Sequence, residues 1–181
     1  MQRTRKLVYH VAATLDGFIA GADDSFDFFP QQGDHIPDYL QTLQTAYDTA
    51  IMGRRTYEVG LKYGVADPYP FLETYVLSSS LGESPSPRVK VSALAPAELL
   101  RSLRTQPGRD IYLCGGGELA RVCFAEQLID ELWVKLNPLL LGHGIPLVAP
   151  LAVPLPLRLL ATKSYEGGVV LLRYEVARSA A

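Results

Sequence analysis

Short apolar runs that stop at glycine or serine, each followed by a helix-like segment, constrain the fold of this chain more than any other feature. Lys6–Ala13 runs towards the turn signal Asp16-Gly17, Thr49–Met52 into Gly53, Tyr75–Ser78 into Ser79, and Ile111–Cys114 into Gly115-Gly116-Gly117. Between them lie helical patterns. In Asp38–Tyr47, Leu40, Leu43 and Tyr47 share one face and Asp38 suits the N-cap. Arg54–Lys62 follows Gly53. Pro96 opens a helix with Leu99, Leu100 and Leu103 on its apolar face, and Leu119, Val122 and Cys123 mark one after the three glycines. Val89–Ser92 and Glu131–Leu136 read as further strands. Alternation of this kind predicts a mostly parallel sheet flanked by helices. The last two strands, Leu157–Ser164 and Val169–Val176, flank Glu166-Gly167-Gly168 and predict an antiparallel hairpin at one edge. Phe18–Pro37 reads as a long acidic and aromatic loop, a length that often marks function. Neither a repeat nor a linker divides the 181 residues, so one domain over 1–181 is expected.

Charge and cysteine content exclude several classes. The net charge is −2 and the Lys and Arg residues are scattered, which leaves no basic field for a nucleic-acid backbone. The two cysteines, Cys114 and Cys123, fit neither a zinc knuckle nor a CxxC pair, so no metal is expected and a reducing cytoplasm suits them. Arg3, Arg5 and Lys6 before Leu7–Leu15, with Ala20-Gly21-Ala22 beyond, imitate a signal peptide. His10 interrupts that run and Asp16-Gly17 separates it from the alanines, so a first buried strand is expected instead. No apolar run is long enough to span a membrane.

The stretch "DIYLCGGGELARVCF", Asp110–Phe124, carries the first sign of chemistry. Gly115, Gly117 and Ala120 formally match G-x-G-x-x-A. A Rossmann site also wants an acid about 20 positions on, for a ribose hydroxyl. That region reads Lys135-Leu136-Asn137, and too little chain follows for the remaining parallel strands. Taken alone, the glycines fit phosphate binding at a helix N-terminus and a simple tight junction equally well. "AIMGRRTYEVG", Ala50–Gly60, adds a second strand end, with Arg54 and Arg55 in the first helical turn. Cations there oppose the helix dipole, which makes more sense if a bound anion offsets it; two solvated surface arginines are the plain alternative. "YVLSSS", Tyr75–Ser80, adds a third end with hydroxyl donors.

Four motifs in order, "VAATLDGFIAG", "IMGRRTYE", "VLSSS" and "YLCGGGELA", resemble the dihydrofolate reductase superfamily. "LIDELWVKLNPLLLGHGIPLV", Leu128–Val148, is more similar to its branch related to the C-terminal reductase domain of bacterial bifunctional riboflavin-biosynthesis proteins. The resemblance implies a dihydrofolate reductase-like fold and an NADPH site. By that likeness Arg54 binds the 2′-phosphate, with Arg55 and Thr56 beside it after Gly53. Ser78 and Ser79 line the adenosine phosphate. Cys114, Gly115, Gly116, Gly117, Glu118 and Leu119 approach the pyrophosphate and nicotinamide side. Ala13 offers a backbone contact to the nicotinamide, and Asp16, Gly17 and Ile19 belong to a loop that closes over it. A homodimer is expected by the same likeness.

The substrate half is less marked. Dihydrofolate reductases place a carboxylate on the first helix to bind the pterin, and Asp38 is the nearest candidate, against a plain N-cap role. Phe28 and Phe29 suit stacking on a flat heterocycle or anchoring of their loop, and Tyr112 suits packing on the nicotinamide or the core. His35 reads as a solvated loop residue, His10 as a strand residue and Trp133 as core or subunit interface. The segment after Gly53 follows the dihydrofolate reductase pattern rather than that of the riboflavin reductase. The reading is an NADPH-dependent reductase of a small conjugated heterocycle, pterin-like or riboflavin-precursor-like. The alternative is a nucleotide-binding or sensing protein of the same fold without turnover.

Overall fold

The computed structural model describes residues 4–177; Arg3 lies outside them. The elements follow in the order β1 (Leu7–Thr14), β2 (Phe18–Ala20), α1 (His35–Ala46), β3 (Tyr47–Gly53), α2 (Arg54–Lys62), β4 (Glu73–Leu77), β5 (Val89–Ser92) and α3 (Pro96–Arg104). Then come β6 (Asp110–Gly115), α4 (Gly117–Ala125), β7 (Glu131–Asn137), β8 (Ile145–Pro146), β9 (Leu157–Ser164) and β10 (Val170–Val176). Eight strands form one sheet in the order β5-β4-β3-β6-β1-β7-β10-β9. The first six are parallel; β10 runs antiparallel to β7 and to β9. This is the mostly parallel α/β sheet with an antiparallel edge expected from the alternation and the final hairpin, and it agrees with the fold that the resemblance to dihydrofolate reductases implies.

The apolar strands are buried because both sheet faces are covered along the centre. On one face Leu7, Tyr9, Ile111, Leu113 and Val134 pack with Leu99, Leu100 and Leu103 of α3 and with Phe124 of α4. On the other, Val8, Tyr112 and Trp133 pack with Leu43 of α1. Arg5, which resembled part of a leader, is almost fully buried. It donates to Thr49 Oγ1 at 2.6 Å and to the carbonyls of Leu103 and Arg109, and pairs with Asp48.

Three details differ from expectation. The helix expected over Asp38–Tyr47 begins at His35, because Pro37 lies in its first turn, where a missing N–H breaks no helical bond. Asp34, not Asp38, is the N-cap, and Tyr47 turns directly into β3. His35 is buried rather than solvated, with Nε2 3.3 Å from the Pro30 carbonyl. A second small sheet, β2 with β8, ties the loop after β1 to the Pro/Gly-rich stretch before the hairpin.

Candidate functional site

The carboxyl ends of β3, β4 and β6 and the starts of α2 and α4 surround a cavity of about 670 Å³. Gly53, Arg54, Arg55 and Thr56 line it from α2; Cys114, Gly116, Gly117, Glu118 and Leu119 line it from β6 and α4; Ile19 closes it from β2. Gly53 and Gly116 are the two N-cap residues, and neither helix has a capping side chain. The first N–H groups of both helices are therefore free to face an anion. The two helix starts are neighbours: a Cβ on Gly53 would lie 3.8 Å from that of Leu119, and one on Gly116 would lie 3.5 Å from Thr56 Oγ1.

The three glycines have separate causes. Gly115 has φ +128°, which side-chain-bearing residues avoid. Gly117 has no room: a Cβ would sit 2.4 Å from the Pro146 carbonyl oxygen. Gly116 meets nothing closer than Thr56 and Ile19, so its missing side chain leaves space in the cavity itself. The Gly115–Gly116 peptide bond is cis.

Both arginines are held by carboxylates. Arg54 donates to both carboxylate oxygens of Glu58 at 2.9 and 3.1 Å, and Arg55 donates to Asp24 at 2.7 Å. Lys62 also approaches Asp24, at 3.5 Å. The side chains of Arg54 and Arg55 are half or more exposed. Ser78 and Ser79 line a separate groove of about 520 Å³ that begins one residue beyond Leu77, itself on the cavity wall. The Ser78 hydroxyl accepts the N–H groups of Ser80 and Leu81 at 3.1 and 2.9 Å.

Other candidates are placed elsewhere. The Ala13 carbonyl accepts Asn137 Nδ2 at 3.0 Å, and Val11 rather than Ala13 lines the cavity. Asp16 points to the turn before β8. It accepts Thr14 Oγ1 at 2.5 Å and the N–H groups of Leu141 and Gly142, bonds that lower its carboxyl to about 2. Gly17, at φ +88°, offers its carbonyl to Leu147 N–H at 2.8 Å. Asp38 is not on the cavity wall. Its carboxylate accepts the Tyr165 hydroxyl and pairs with Lys163 at 3.0 Å, both from the C-terminal hairpin, and these bonds hold it below the usual range. Phe28 packs against Phe29, which is buried, so this pair anchors its loop. Tyr112 is in the core, and its hydroxyl meets that of Tyr39 at 2.9 Å.

Residues that the motifs did not single out complete the cavity. Phe26, Tyr63, Val65 and Pro68 form its outer lip, and Tyr69 stands on its inner wall beside Cys114. Tyr69 Oη is 3.2 Å from Cys114 Sγ and 3.4 Å from the Tyr112 hydroxyl. Burial pushes both the Tyr69 phenol and the Cys114 thiol up, so each keeps its proton at neutral pH. The signal for these residues is only the aromatic content of two loops, the one after β2 for Phe26 and the α2–β4 loop for the rest, and neither has a period to read. His10 and Trp133 are core residues; Trp133 Nε1 donates to Glu131 at 2.7 Å, and the Arg173 guanidinium lies over its ring at 3.7 Å.

Comparison with known proteins gives a consistent result. The RibD C-terminal domain family matches residues 5–171. The uncharacterized protein YwjB of Bacillus subtilis (strain 168) is 34% identical over 174 residues, covering 94% of this chain and 97% of YwjB. The structure of a putative riboflavin biosynthesis protein from Shewanella sp. PV-4 superposes with TM-score 0.84 at 24% identity, covering 96% and 99% of the two chains. Dihydrofolate reductase from Enterococcus faecalis, complexed with NADP(H), superposes with TM-score 0.69 at 18% identity, covering 96% and 97%. At such identities these structures speak to the fold.

Proposed function

The chain belongs to the RibD C-terminal domain family, and from that premise we propose that it is an NADPH-dependent reductase of a small conjugated substrate. One observation carries the reading: two uncapped helix N-termini converge with two arginines on one cavity. That set of donors fits the phosphates of a dinucleotide. Bound NADPH would supply a hydride to the carbon of a conjugated C=N or C=O bond, whose heteroatom takes up a proton. Arg54 would hold the 2′-phosphate, and Gly53, Thr56, Gly116 and Gly117 the pyrophosphate side. Ile19 and Leu119 would keep water from the nicotinamide. Tyr69 and Cys114 are protonated groups on the inner wall, able to donate to a substrate heteroatom. Both cysteines are free thiols, as suits a cytoplasmic protein, and no helix among the described residues is long and apolar enough to cross a membrane.

Asp38 has no substrate role in this reading, since its carboxylate is committed to Tyr165 and Lys163. We also propose a homodimer through the C-terminal hairpin: every residue of the edge strand β9 is exposed, Leu157, Leu159 and Leu160 among them.

The test is cofactor discrimination by calorimetry. A charge-assisted bond to the 2′-phosphate is worth about 1.5–3 kcal/mol, so Arg54→Ala should weaken NADPH about 10–150-fold. NADH should lose less than about threefold. Equal losses for the two cofactors would remove the 2′-phosphate assignment. Tight NADPH binding with no oxidation by pterins, flavin precursors or quinones would favour a sensing protein instead.

A further inference from the structure

We infer that the outer half of the cavity takes a flat, uncharged, conjugated ring compound that carries no phosphate, seated against Phe26 and Tyr63. The inference rests on the reductase reading, and it separates this chain from any substrate that bears a phosphate.

The cavity has two chemically unlike ends. The inner end offers backbone N–H groups and arginines. The outer lip is built from Phe26, Tyr63, Val65 and Pro68, with Tyr69 behind them. Phe26, Tyr63 and Val65 are 41%, 62% and 42% exposed, a concentration of large apolar side chains on one rim. The Phe26 and Tyr63 rings meet edge to face, with centroids 5.3 Å apart and planes at 65°. Such a pair leaves ring faces open, the surface a planar conjugated molecule stacks on.

Phe26 is held there by its own loop. The Gly21 N–H donates to the Ser25 carbonyl at 2.8 Å, and the Asp24 carboxylate ties the loop to Arg55 and Lys62 of α2. The lip is therefore part of the resting structure, on both sides of the opening.

Charge decides against a phosphate. Among the described residues the only cations lining the cavity are Arg54 and Arg55, and the only carboxylates are Asp24 and Glu118. The arginines are already shared with Glu58 and Asp24. A dinucleotide with three phosphate groups has first claim on them. A phosphorylated substrate would then bring a further dianion beside Asp24 with no cation left on the wall; Lys62 lies off the wall, exposed and already facing Asp24 at 3.5 Å. The polar groups that remain, the Tyr69 hydroxyl and the Cys114 thiol, are neutral donors suited to one ring carbonyl or ring nitrogen.

Two ligand pairs that differ only in a phosphate test this: 6-hydroxymethylpterin with its phosphate ester, and riboflavin with FMN. Each is titrated into the full chain saturated with NADP+, followed by ligand fluorescence. At least one neutral compound should bind, and at least tenfold more tightly than its phosphorylated partner. The Phe26→Ala/Tyr63→Ala double variant should lose at least tenfold in that affinity while its NADP+ affinity stays within twofold of the parent. Normal NADP+ binding with equal or tighter binding of the phosphorylated member overturns this inference alone. So does normal NADP+ binding with neither neutral compound bound, or with the double variant unaffected. Failure of the parent protein to bind NADP+ overturns the reductase reading, and this inference with it.

Discussion

The three consecutive glycines allow a sharp separation of folding from binding. Substituting alanine at Gly117 puts a methyl carbon 2.4 Å from the Pro146 carbonyl oxygen and 3.6 Å from Ala149 N. Both atoms are backbone, and Ala149 N–H already donates to the Gly117 carbonyl at 3.3 Å. Pro146 belongs to β8, whose partner β2 carries Ile19 to the cavity, so this contact is relieved only by moving a strand. Overpacking of this kind costs roughly 1–3 kcal/mol. For a chain of this size that lowers Tm by about 2–12 °C. At Gly116 the same methyl meets Thr56 Oγ1 at 3.5 Å and Ile19 Cδ1 at 4.0 Å, and the backbone, at φ −93°, accepts alanine. Stability should then stay within about 0.5 kcal/mol of the parent. Yet the methyl projects between Thr56 and Ile19, where the proposed dinucleotide would approach. A loss of tenfold or more in NADP+ affinity is expected, about 1.4 kcal/mol. Thermal scans and calorimetry on Gly116→Ala and Gly117→Ala give both readouts. If Gly117→Ala melts with the parent, or Gly116→Ala binds NADP+ like the parent, the two glycines do not divide folding from binding in this way.

Other expectations follow from the buried polar groups and the exposed edge. Burial first, then the Lys135 and Arg173 cations, push His10 down to about 3, while Asp38 opposes this. The folded protein thus keeps His10 neutral at pH values where the unfolded chain, near 6.5, takes up a proton. This contribution is whole above pH 6.5 and is lost as pH falls towards 3, amounting to about 2 kcal/mol by pH 5. Denaturant melts at pH 7 and pH 5 should show that loss in the parent and its absence in His10→Gln; equal losses in both would assign the slope to other groups. Asp38→Asn should lower stability by about 1 kcal/mol at neutral pH, through weaker bonds to Tyr165 and Lys163, with NADPH oxidation unchanged. A selective fall in kcat at unchanged stability would return Asp38 to the substrate site. Leu159→Asp, at a residue 51% exposed on β9, should shift sedimentation from dimer to monomer without lowering the monomer's NADP+ affinity. An unchanged sedimentation coefficient would move the interface elsewhere.

What the sequence makes legible tracks the range of the interactions involved. Most strands of the large sheet carry an apolar run that stops near a glycine, serine or asparagine, and the hairpin is marked by Gly167-Gly168, so these elements can be read locally; the start of β3 cannot, because α1 runs straight into it. β2 and β8 cannot, since three and two residues carry no period. Pro37 looks like the end of a loop because proline breaks helices, but in a first turn it breaks no bond. Asp38 then looks like a cap. Its true partners, Tyr165 and Lys163, lie on the other end of the chain, and no local pattern announces them. Phe26, Phe28 and Phe29 are alike in type and neighbourhood; only the folded loop sends Phe26 to the lip and Phe29 inward. The strand-end motifs are visible because a phosphate site needs particular residues at fixed places. An apolar lip needs only bulk, and many residues supply it.

The two arginines show how the visible half of the site is kept ready. Their positions in the first turn of α2 oppose the helix dipole, and that turn contains no acid of its own. The structure offsets this with Glu58, one turn on, and with Asp24, 31 residues earlier in the chain. Both arginines are substantially exposed, at 50% and 62%, so each pairing is worth about 1 kcal/mol or less. A phosphate can therefore take over a guanidinium at little expense. Releasing Arg55 has a further consequence, because Asp24 also anchors the loop that carries Phe26. If an arriving dinucleotide draws Arg55 away, the longer contact from Lys62 is the one ion pair among the described residues that still holds the Asp24 carboxylate. In the proposed reading, the lip that would seat the ring is thus linked, through one carboxylate, to the residues that would hold the phosphate.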